Sequence, residues 1–260
     1  MSYPDIKITF LGTGTSSGVP MIGCDCPVCT STDQKDKRLR SSILVQSEHT
    51  NIVVDSGPDF RYQMLRAGIK RLDAVIYTHP HKDHVAGLDD VRGFNYFMQK
   101  PMEIYGNEMT LEVIIREFPY AFTEQKYPGA PNIHINTIST EPFRVNDLVI
   151  TPILVWHMQM PVLAFRFGKF TYITDANRIE DSSKEKISGT EVIVLNALRK
   201  EKHISHYNLA EAVREVQDMK IPKAYFTHIS HQLGKHADVS KELPEGIHLA
   251  YDELSIELQG

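Results

Sequence analysis

The segment Thr78-His79-Pro80-His81-Lys82-Asp83-His84 constrains this chain more than any other. It gathers three imidazoles and one carboxylate behind the apolar run Ala74–Tyr77 and ahead of the helix-like stretch Ala86–Met98. In extended backbone, residues two apart point to the same side, so His79 and His81 can grip one ion together. Asp83 and His84 sit past the turn and can reach a second. Neutral imidazole and carboxylate suit zinc, manganese or iron. A solvated polar turn is the plainer explanation, but it does not account for potential ligands gathered this tightly at the end of a strand.

The rest of the chain supplies a frame for such a site. Runs rich in Val, Ile, Tyr, Phe and Thr predict strands at Ile6–Leu11, Ser42–Gln46, Asn51–Asp55, Asp73–Thr78, Met102–Tyr105 and Ile133–Ile138. Further strands are expected at Leu148–Trp156, Val162–Phe167, Phe170–Thr174, Val192–Leu195, Ala224–Thr227 and Ile247–Tyr251. Helical patterns fall at Phe60–Ala67, Ala86–Met98, Leu111–Phe118 and Leu209–Met219, the last opened by Asn208 with Glu211 three residues on, a capping-box pattern. Hairpin signals at Glu48–Asn51 and Gly168–Lys169 imply antiparallel pairing there. The pattern predicts two mixed sheets packed together with helices outside. A length of 260 residues fits one large α/β domain over residues 1–260.

Charge and targeting signals narrow the function. The net charge of −5 disfavours general affinity for nucleic-acid backbones. No apolar run reaches the roughly 18 residues needed to span a bilayer, and Met1–Phe10 lacks the basic and apolar regions of a signal peptide. The expectation is a cytoplasmic protein. Three cysteines, all within Cys24–Cys29, rule out a disulfide framework and point to metal. They lie in Gly12–Arg40, a long aperiodic stretch of the kind that is functional or tied down. Gly12–Gly18 is glycine-rich but lacks the lysine of a nucleotide P-loop, and reads as a tight turn approaching the metal site. The basic stretch Lys35–Arg40 reads as a solvated loop face.

His79-x-His81-x-Asp83-His84 resembles the signature of the metallo-β-lactamase superfamily, whose fold is a four-layer αββα sandwich with a dinuclear site between two mixed sheets. The resemblance covers essentially the whole chain. It implies that His79, His81 and His157 hold one ion, that Asp83, His84 and His228 hold the other, and that Asp175 bridges them. Taken singly, Asp55 beside Ser56-Gly57 is a turn aspartate, Asp175 a cap, and His157 or His228 a core histidine. In the family's order at strand ends they form a set. Asp55 is expected to accept the free ring N–H of a ligand histidine and fix its tautomer. His206, in His203-Ile-Ser-His206 before the capped helix, resembles the histidine that supplies a proton or stabilises charge in the phosphodiesterase branches, and is favoured over His203 for that role.

The Gly12–Pro20 turn followed by Gly23-Cys24-Asp25-Cys26-x-x-Cys29 narrows the likeness, as does Thr227-His228-Ile-Ser-His231-Gln. Both resemble the phosphoribosyl 1,2-cyclic phosphate phosphodiesterases of bacterial phosphonate breakdown. Transfer-RNA 3′-processing nucleases and a pyrroloquinoline quinone biosynthesis protein share parts of these motifs. Structural zinc takes four ligands, and the resemblance supplies His231 as the fourth beside Cys24, Cys26 and Cys29. The implied function is a metal-dependent hydrolase with two active-site ions, zinc or manganese, and one structural zinc. It would hydrolyse a small cyclic phosphodiester, with His206 and Asp83 taking part in the chemistry. Alternatives are a nuclease or a lactone or ester hydrolase on the same site, or a non-enzymatic biosynthetic helper. The partners expected are the small substrate and a second copy in a homodimer, with no membrane and no extended nucleic-acid surface. The nuclease's Gly/Pro-rich arm for transfer RNA is missing from the sequence.

Overall fold

The computed structural model describes residues 3–123, 125 and 127–260, so the first two residues of the expected 1–260 domain lie outside the described residues. In chain order the strands are β1 (Ile6–Gly12), β2 (Ser42–Gln46), β3 (Asn51–Val54), β4 (Ala74–Ile76), β5 (Met102–Gly106), β6 (Ile133–Thr137) and β7 (Phe143–Val145). They continue as β8 (Leu148–His157), β9 (Met160–Phe167), β10 (Phe170–Tyr172), β11 (Val192–Asn196), β12 (Lys223–Thr227), β13 (Ile247–Leu249) and β14 (Ser255–Leu258). The helices are α1 (Phe60–Ala67), α2 (Lys82–Val85), α3 (Arg92–Met98), α4 (Glu108–Glu117), α5 (Asp181–Ile187), α6 (Leu209–Asp218) and α7 (His236–Val239).

The strands form two seven-stranded sheets, ordered β14-β1-β2-β3-β4-β5-β6 and β13-β12-β11-β10-β9-β8-β7. Each is mixed. In the first, β3 through β6 run parallel and the remaining neighbours antiparallel; in the second, β10 through β13 are the parallel set. The period-2 alternation of side chains sorts the apolar residues into layers. In β2, Ile43 and Val45 join Phe165, Tyr172 and Val194 between the sheets, whereas Leu44 faces the layer of Phe60, Met64, Leu111 and Ile114. On the far side, Ile193, Leu195 and Phe226 meet Ala212 and Val216 of α6. Central strands are therefore buried on both faces, which is why they read as unbroken apolar runs. The outcome is the expected αββα sandwich.

Two details of the expectation change. The stretch Ala86–Met98 is not one helix: α2 stops at Val85, a 3₁₀ turn covers Leu88–Val91, and α3 begins at Arg92. Gly87 marks the break, with its N–H donating to the Ser56 carbonyl at 2.8 Å. A Cβ on Gly87 would lie 2.1 Å from the Gly57 carbonyl oxygen, and one on Gly57 2.0 Å from that of Asp83, so only glycines let these two turns touch. The second change is at the edges. The short strands β7 and β14 and the helices α5 and α7 appear where no periodicity announced them.

The strand ends position the site. Asp55, Asp175 and His228 immediately follow β3, β10 and β12, except for the short Ile173–Thr174 step, and all three are left-handed, with φ of 65°, 54° and 56°. Left-handed backbone is uncommon outside glycine and clusters at functional sites. Here it turns each strand sharply at the same edge of the sandwich.

Candidate metal centre

Asp175 is the hub. Its Oδ1 lies 3.0 Å from His228 Nδ1 and 3.5 Å from His84 Nε2, and its Oδ2 lies 3.6 Å from His79 Nε2 and 3.3 Å from His206 Nε2. Three donor groups share it: Asp83, His84 and His228; His79 and His81; and His157 and His206. His79 Nε2 and His81 Nδ1 are 3.1 Å apart. His157 approaches His81 with ring centroids at 5.2 Å and His206 at 4.5 Å. All seven candidate ligands read from the sequence thus come together, with His206 beside them.

The outward-facing atoms explain how the rings are aimed. Thr78 donates twice to Asp55, N–H to Oδ1 at 2.9 Å and Oγ1–H to Oδ2 at 2.8 Å. Its hydroxyl then accepts from His79 Nδ1 at 2.9 Å. Asp55 Oδ2 also accepts from His84 Nδ1 at 2.7 Å, and the Ser205 carbonyl accepts from His157 Nδ1 at 2.8 Å. With the Nδ1 protons committed outward, Nε2 of His79, His84 and His157 presents a lone pair inward. His228 is turned the other way: Nε2 sits 3.1 Å from Thr15 Oγ1 and Nδ1 faces the centre. Asn196 holds the turn after Asp175, accepting from Ala176 N–H at 2.7 Å and donating to its carbonyl at 2.9 Å. Sequence reasoning singled out Asp55 but missed Thr78, Thr15, Ser205 and Asn196. For Thr15 the only signal was its place in the Gly12–Gly18 turn.

The electrostatics of the cluster fit divalent cations. His84 Nε2 and His228 Nδ1 are buried without a hydrogen-bond partner, although His84 Nε2 lies 3.1 Å from Asp83 Oδ2. A lone pair facing a carboxylate oxygen at that range is repulsive unless positive charge lies between them. Asp55, Asp83 and Asp175 crowd the same small volume. Burial alone would push the Asp83 and Asp175 carboxyls up, but the facing imidazoles, His84 and His228, hold both well below the usual carboxylate range. Burial likewise opposes charge on His84, yet Asp83, Asp175 and Asp55 carry its pKa well above the ordinary histidine value. His79 and His157 go the opposite way, pushed down chiefly by burial, His157 to about 4. His79 and His157 are thus held neutral and Asp83 and Asp175 ionised, the forms that bind metal, while the three carboxylates around His84 favour positive charge at that point of the cluster.

A second cluster lies in the Gly12–Arg40 loop. His231 Nδ1 sits 3.2 Å from Cys24 Sγ and 3.4 Å from Cys26 Sγ, and Cys29 completes a group of four possible ligands. Backbone N–H groups of Cys29 and Met21 point at the sulfurs of Cys26 and Cys29, each at 3.4 Å. The Cys29 N–H and then His231 lower the Cys26 thiol to about 6, while burial raises that of Cys29 to about 11. The loop is stitched to the C-terminal region. Ile229 exchanges backbone bonds with Thr13 and Thr15 at 2.9 and 3.1 Å.

The basic stretch Lys35–Arg40 is not the solvated face expected. Arg38 is buried, donating to Thr13 Oγ1 at 2.8 Å and the Ala250 carbonyl at 2.6 Å, and Arg40 pairs with Asp59 at 3.2 Å. These cations close the loop onto the domain, a role their spacing in sequence does not reveal.

Comparison with known proteins agrees with this architecture. A protein named octanoyltransferase from Porphyromonas gingivalis is 35% identical over 252 residues, covering 96% of this chain but only 51% of that protein, so the chain spans about half its length. A solved structure described as a new diphosphatase from the PhnP family is 39% identical, with a TM-score of 0.91 and 98% of each chain covered. Zinc-bound PqqB from Methylobacterium extorquens shares the fold at 19% identity, with a TM-score of 0.72 over 97% of this chain and 100% of that one. Among the described residues no helix is long and apolar enough to cross a membrane. The family model for the beta-lactamase superfamily domain matches residues 50–229, the span that holds Asp55, the His79–His84 ligands, His157, Asp175 and His228, and the chain belongs to the metallo-β-lactamase superfamily.

Proposed function

We propose that this protein is a dinuclear metal-dependent phosphodiesterase acting on a small cyclic phosphodiester such as 5-phosphoribosyl 1,2-cyclic phosphate. The observation that carries the reading is the convergence of seven nitrogen and oxygen donors on Asp175, in a chain 39% identical over its length to a PhnP-family diphosphatase. In this reading His79, His81 and His157 hold one ion, Asp83, His84 and His228 the other, and Asp175 joins both. The ions are zinc or manganese. Bound there, they supply Lewis acidity and an activated water for in-line displacement at phosphorus.

The chain's own residues do the rest. Asp55 and Thr78 hold His84 and His79 in the ligating tautomer. Asp83, largely buried beside the cluster with 12% of its side chain exposed, orients the attacking water. His206 Nε2, 3.3 Å from Asp175, holds a proton for the departing sugar oxygen or steadies a phosphoryl oxygen. Cys24, Cys26, Cys29 and His231 take a structural zinc. The protein works in the cytoplasm as a homodimer, which sedimentation would test.

A second reading has its own support: the similar PhnP-family structure is named a diphosphatase, which favours cleavage of a phosphoanhydride. A substrate panel separates the two. Turnover of the ribosyl cyclic phosphate, abolished by chelation and restored by zinc or manganese, is expected to exceed that of diphosphate esters, lactones and transfer-RNA precursors. A preference for diphosphate esters would move the assignment to the second reading. Efficient trimming of precursor transfer RNA without cleavage of small diesters would overturn both.

A further inference from the structure

We infer that the face formed by α1 and α3 is where two copies of this chain meet around a twofold axis, with Phe97 of each copy entering a groove on the other. The inference rests on the homodimer reading above and names its surface. α3 carries Phe94, Tyr96 and Phe97, yet none of its residues is buried. Tyr96 and Phe97 stand 71% and 82% exposed, their rings edge to face at 5.1 Å, and Leu65 on α1 is 62% exposed. Single exposed apolar residues are ordinary, but a contiguous patch rimmed by charge marks an interaction surface. Beside this ridge lies a groove of about 600 Å³ walled by Phe60, Met64, Leu65, Ile69, Phe94 and Phe97.

Shape, charge and area fit this patch to itself. It holds both a ridge and a groove, and a twofold contact needs such a self-complementary pair, because each element is used twice across the axis. The charges at the groove are of both signs. Arg92 is paired with Asp89 at 3.1 Å, but among the described residues Arg61, Lys70 and Asp90, which also line the groove, form no ion pair within the chain. A twofold axis sets Asp90 of one copy against a cation of the other, and does so twice. A partner of one sign would leave either Asp90 or the cations unmet. An aromatic side chain buries about 150–250 Å², so covering Tyr96, Phe97, Leu65 and the groove walls removes roughly 400 Å² of apolar surface per copy. A standard interface takes about 800 Å² from each partner, a little over half of it apolar. The apolar face and its charged rim together reach what a stable dimer needs.

Sedimentation of the metal-loaded full chain tests this, with Phe97→Asp and Gly93→Glu compared with wild type. Gly93 lines the groove, and a Cβ there meets nothing within 4 Å, so Gly93→Glu sets a charge in the contact without disturbing the monomer. Wild type is expected at the dimer mass at micromolar concentration. Each variant should weaken association by about thirtyfold or more, the loss that goes with one central anchor, while metal content and circular dichroism match wild type. Asp90→Lys leaves the rim with unmet charge of one sign, and should weaken association by about tenfold at low salt and less at high salt. A dimer that survives both Phe97→Asp and Gly93→Glu overturns the assignment of this face and leaves the homodimer standing. A wild-type chain that sediments as a monomer overturns both, and would leave the face to a different protein.

Discussion

The His/Asp centre and the cysteine loop are both clusters of four or more candidate ligands, yet they are built in opposite ways. The centre draws its donors from the ends of strands in both sheets, holds Asp175 and His228 in left-handed backbone, and fixes the rings of His79, His84, His157 and His228 from outside through Thr78, Asp55, Ser205 and Thr15. Its charge distribution is strained before any ion arrives. The cysteine cluster takes three ligands from six consecutive residues and only one, His231, from far away. Its surroundings are backbone N–H groups and a small apolar cap of Val19 and Val28. The difference teaches what each can do. A scaffold-wide cluster with unpartnered nitrogens is arranged to act on something else. A local cluster closed by one distant residue is arranged to tie the chain.

The contrast breaks first at Asp175, where the largest effect is expected. Its carboxylate touches donors from every part of the centre, so Asp175→Ala should empty both ion positions and lower activity by more than about 10³-fold. Elemental analysis should find the loop zinc still in place. Full metal content with near-normal turnover would remove Asp175 from its bridging role.

Asp55→Asn should come next. The carboxylate accepts from His84 Nδ1 at 2.7 Å while also accepting twice from Thr78. An amide keeps one acceptor for the Thr78 N–H but turns an NH₂ group toward His84. That drives the His84 proton to Nε2, the nitrogen that faces the ions. Metal affinity should fall by about 10–100-fold, as competition with a chelator would measure. A variant that competes like wild type would show that the tautomer is fixed from elsewhere.

The two clusters also differed in how readable they were. His79 to His84 is local, so residue type and spacing were enough. Asp175, His157 and His228 were legible only as an order of residues at strand ends, because their meeting depends on two sheets closing face to face. Thr78, Thr15 and Ser205 were not legible: their roles depend on which way a hydroxyl or carbonyl points after a left-handed turn, and no pattern in the sequence encodes that. Of the fold, the buried strands were visible from their apolar runs. β7 and β14 were not, since edge strands of three or four residues carry too little alternation. α5 offers one buried apolar residue, Ile187, in DSSKEKI, and forms where Ser183 Oγ reaches the Leu154 carbonyl at 2.5 Å. Arg38 was misread because a cation that closes a loop looks like one that faces water until its partners are known.

Cys26→Ser sharpens the comparison from the loop side. It should remove one zinc per chain and lower the unfolding temperature by about 5 °C or more, since even a few kcal/mol shift a chain of this size by that amount. Activity per folded molecule should survive, because the cysteines touch none of the centre's donors directly. A large loss of kcat without a loss of stability would mean that the loop works through the Thr15–His228 contact, and the division between tying and acting would fail.

The smallest effect concerns pH and the far end of the same loop. Asp36 Oδ1 accepts from the His236 backbone N–H at 2.7 Å whatever the state of the ring, but Arg38 Nη2 donates to His236 Nδ1 at 3.1 Å, and this second tie between the loop and α7 needs a neutral imidazole. Burial first, and the facing Arg38 guanidinium second, depress the His236 pKa to about 4. The unfolded chain has the ordinary value of about 6.5. A histidine depressed on folding adds stability that is complete above the unfolded value and is lost as pH falls from there through about 4. The unfolding temperature of the wild type should therefore drop across that window by more than that of His236→Asn, whose Oδ1 can accept from Arg38 but does not titrate. Protonation of metal ligands also lowers stability in acid, but it acts on both proteins alike, so the measurement is the difference between their curves. That difference should be about 1–2 °C between pH 7 and pH 5. Parallel curves would show that the Arg38–His236 contact does not bear on how the loop is held.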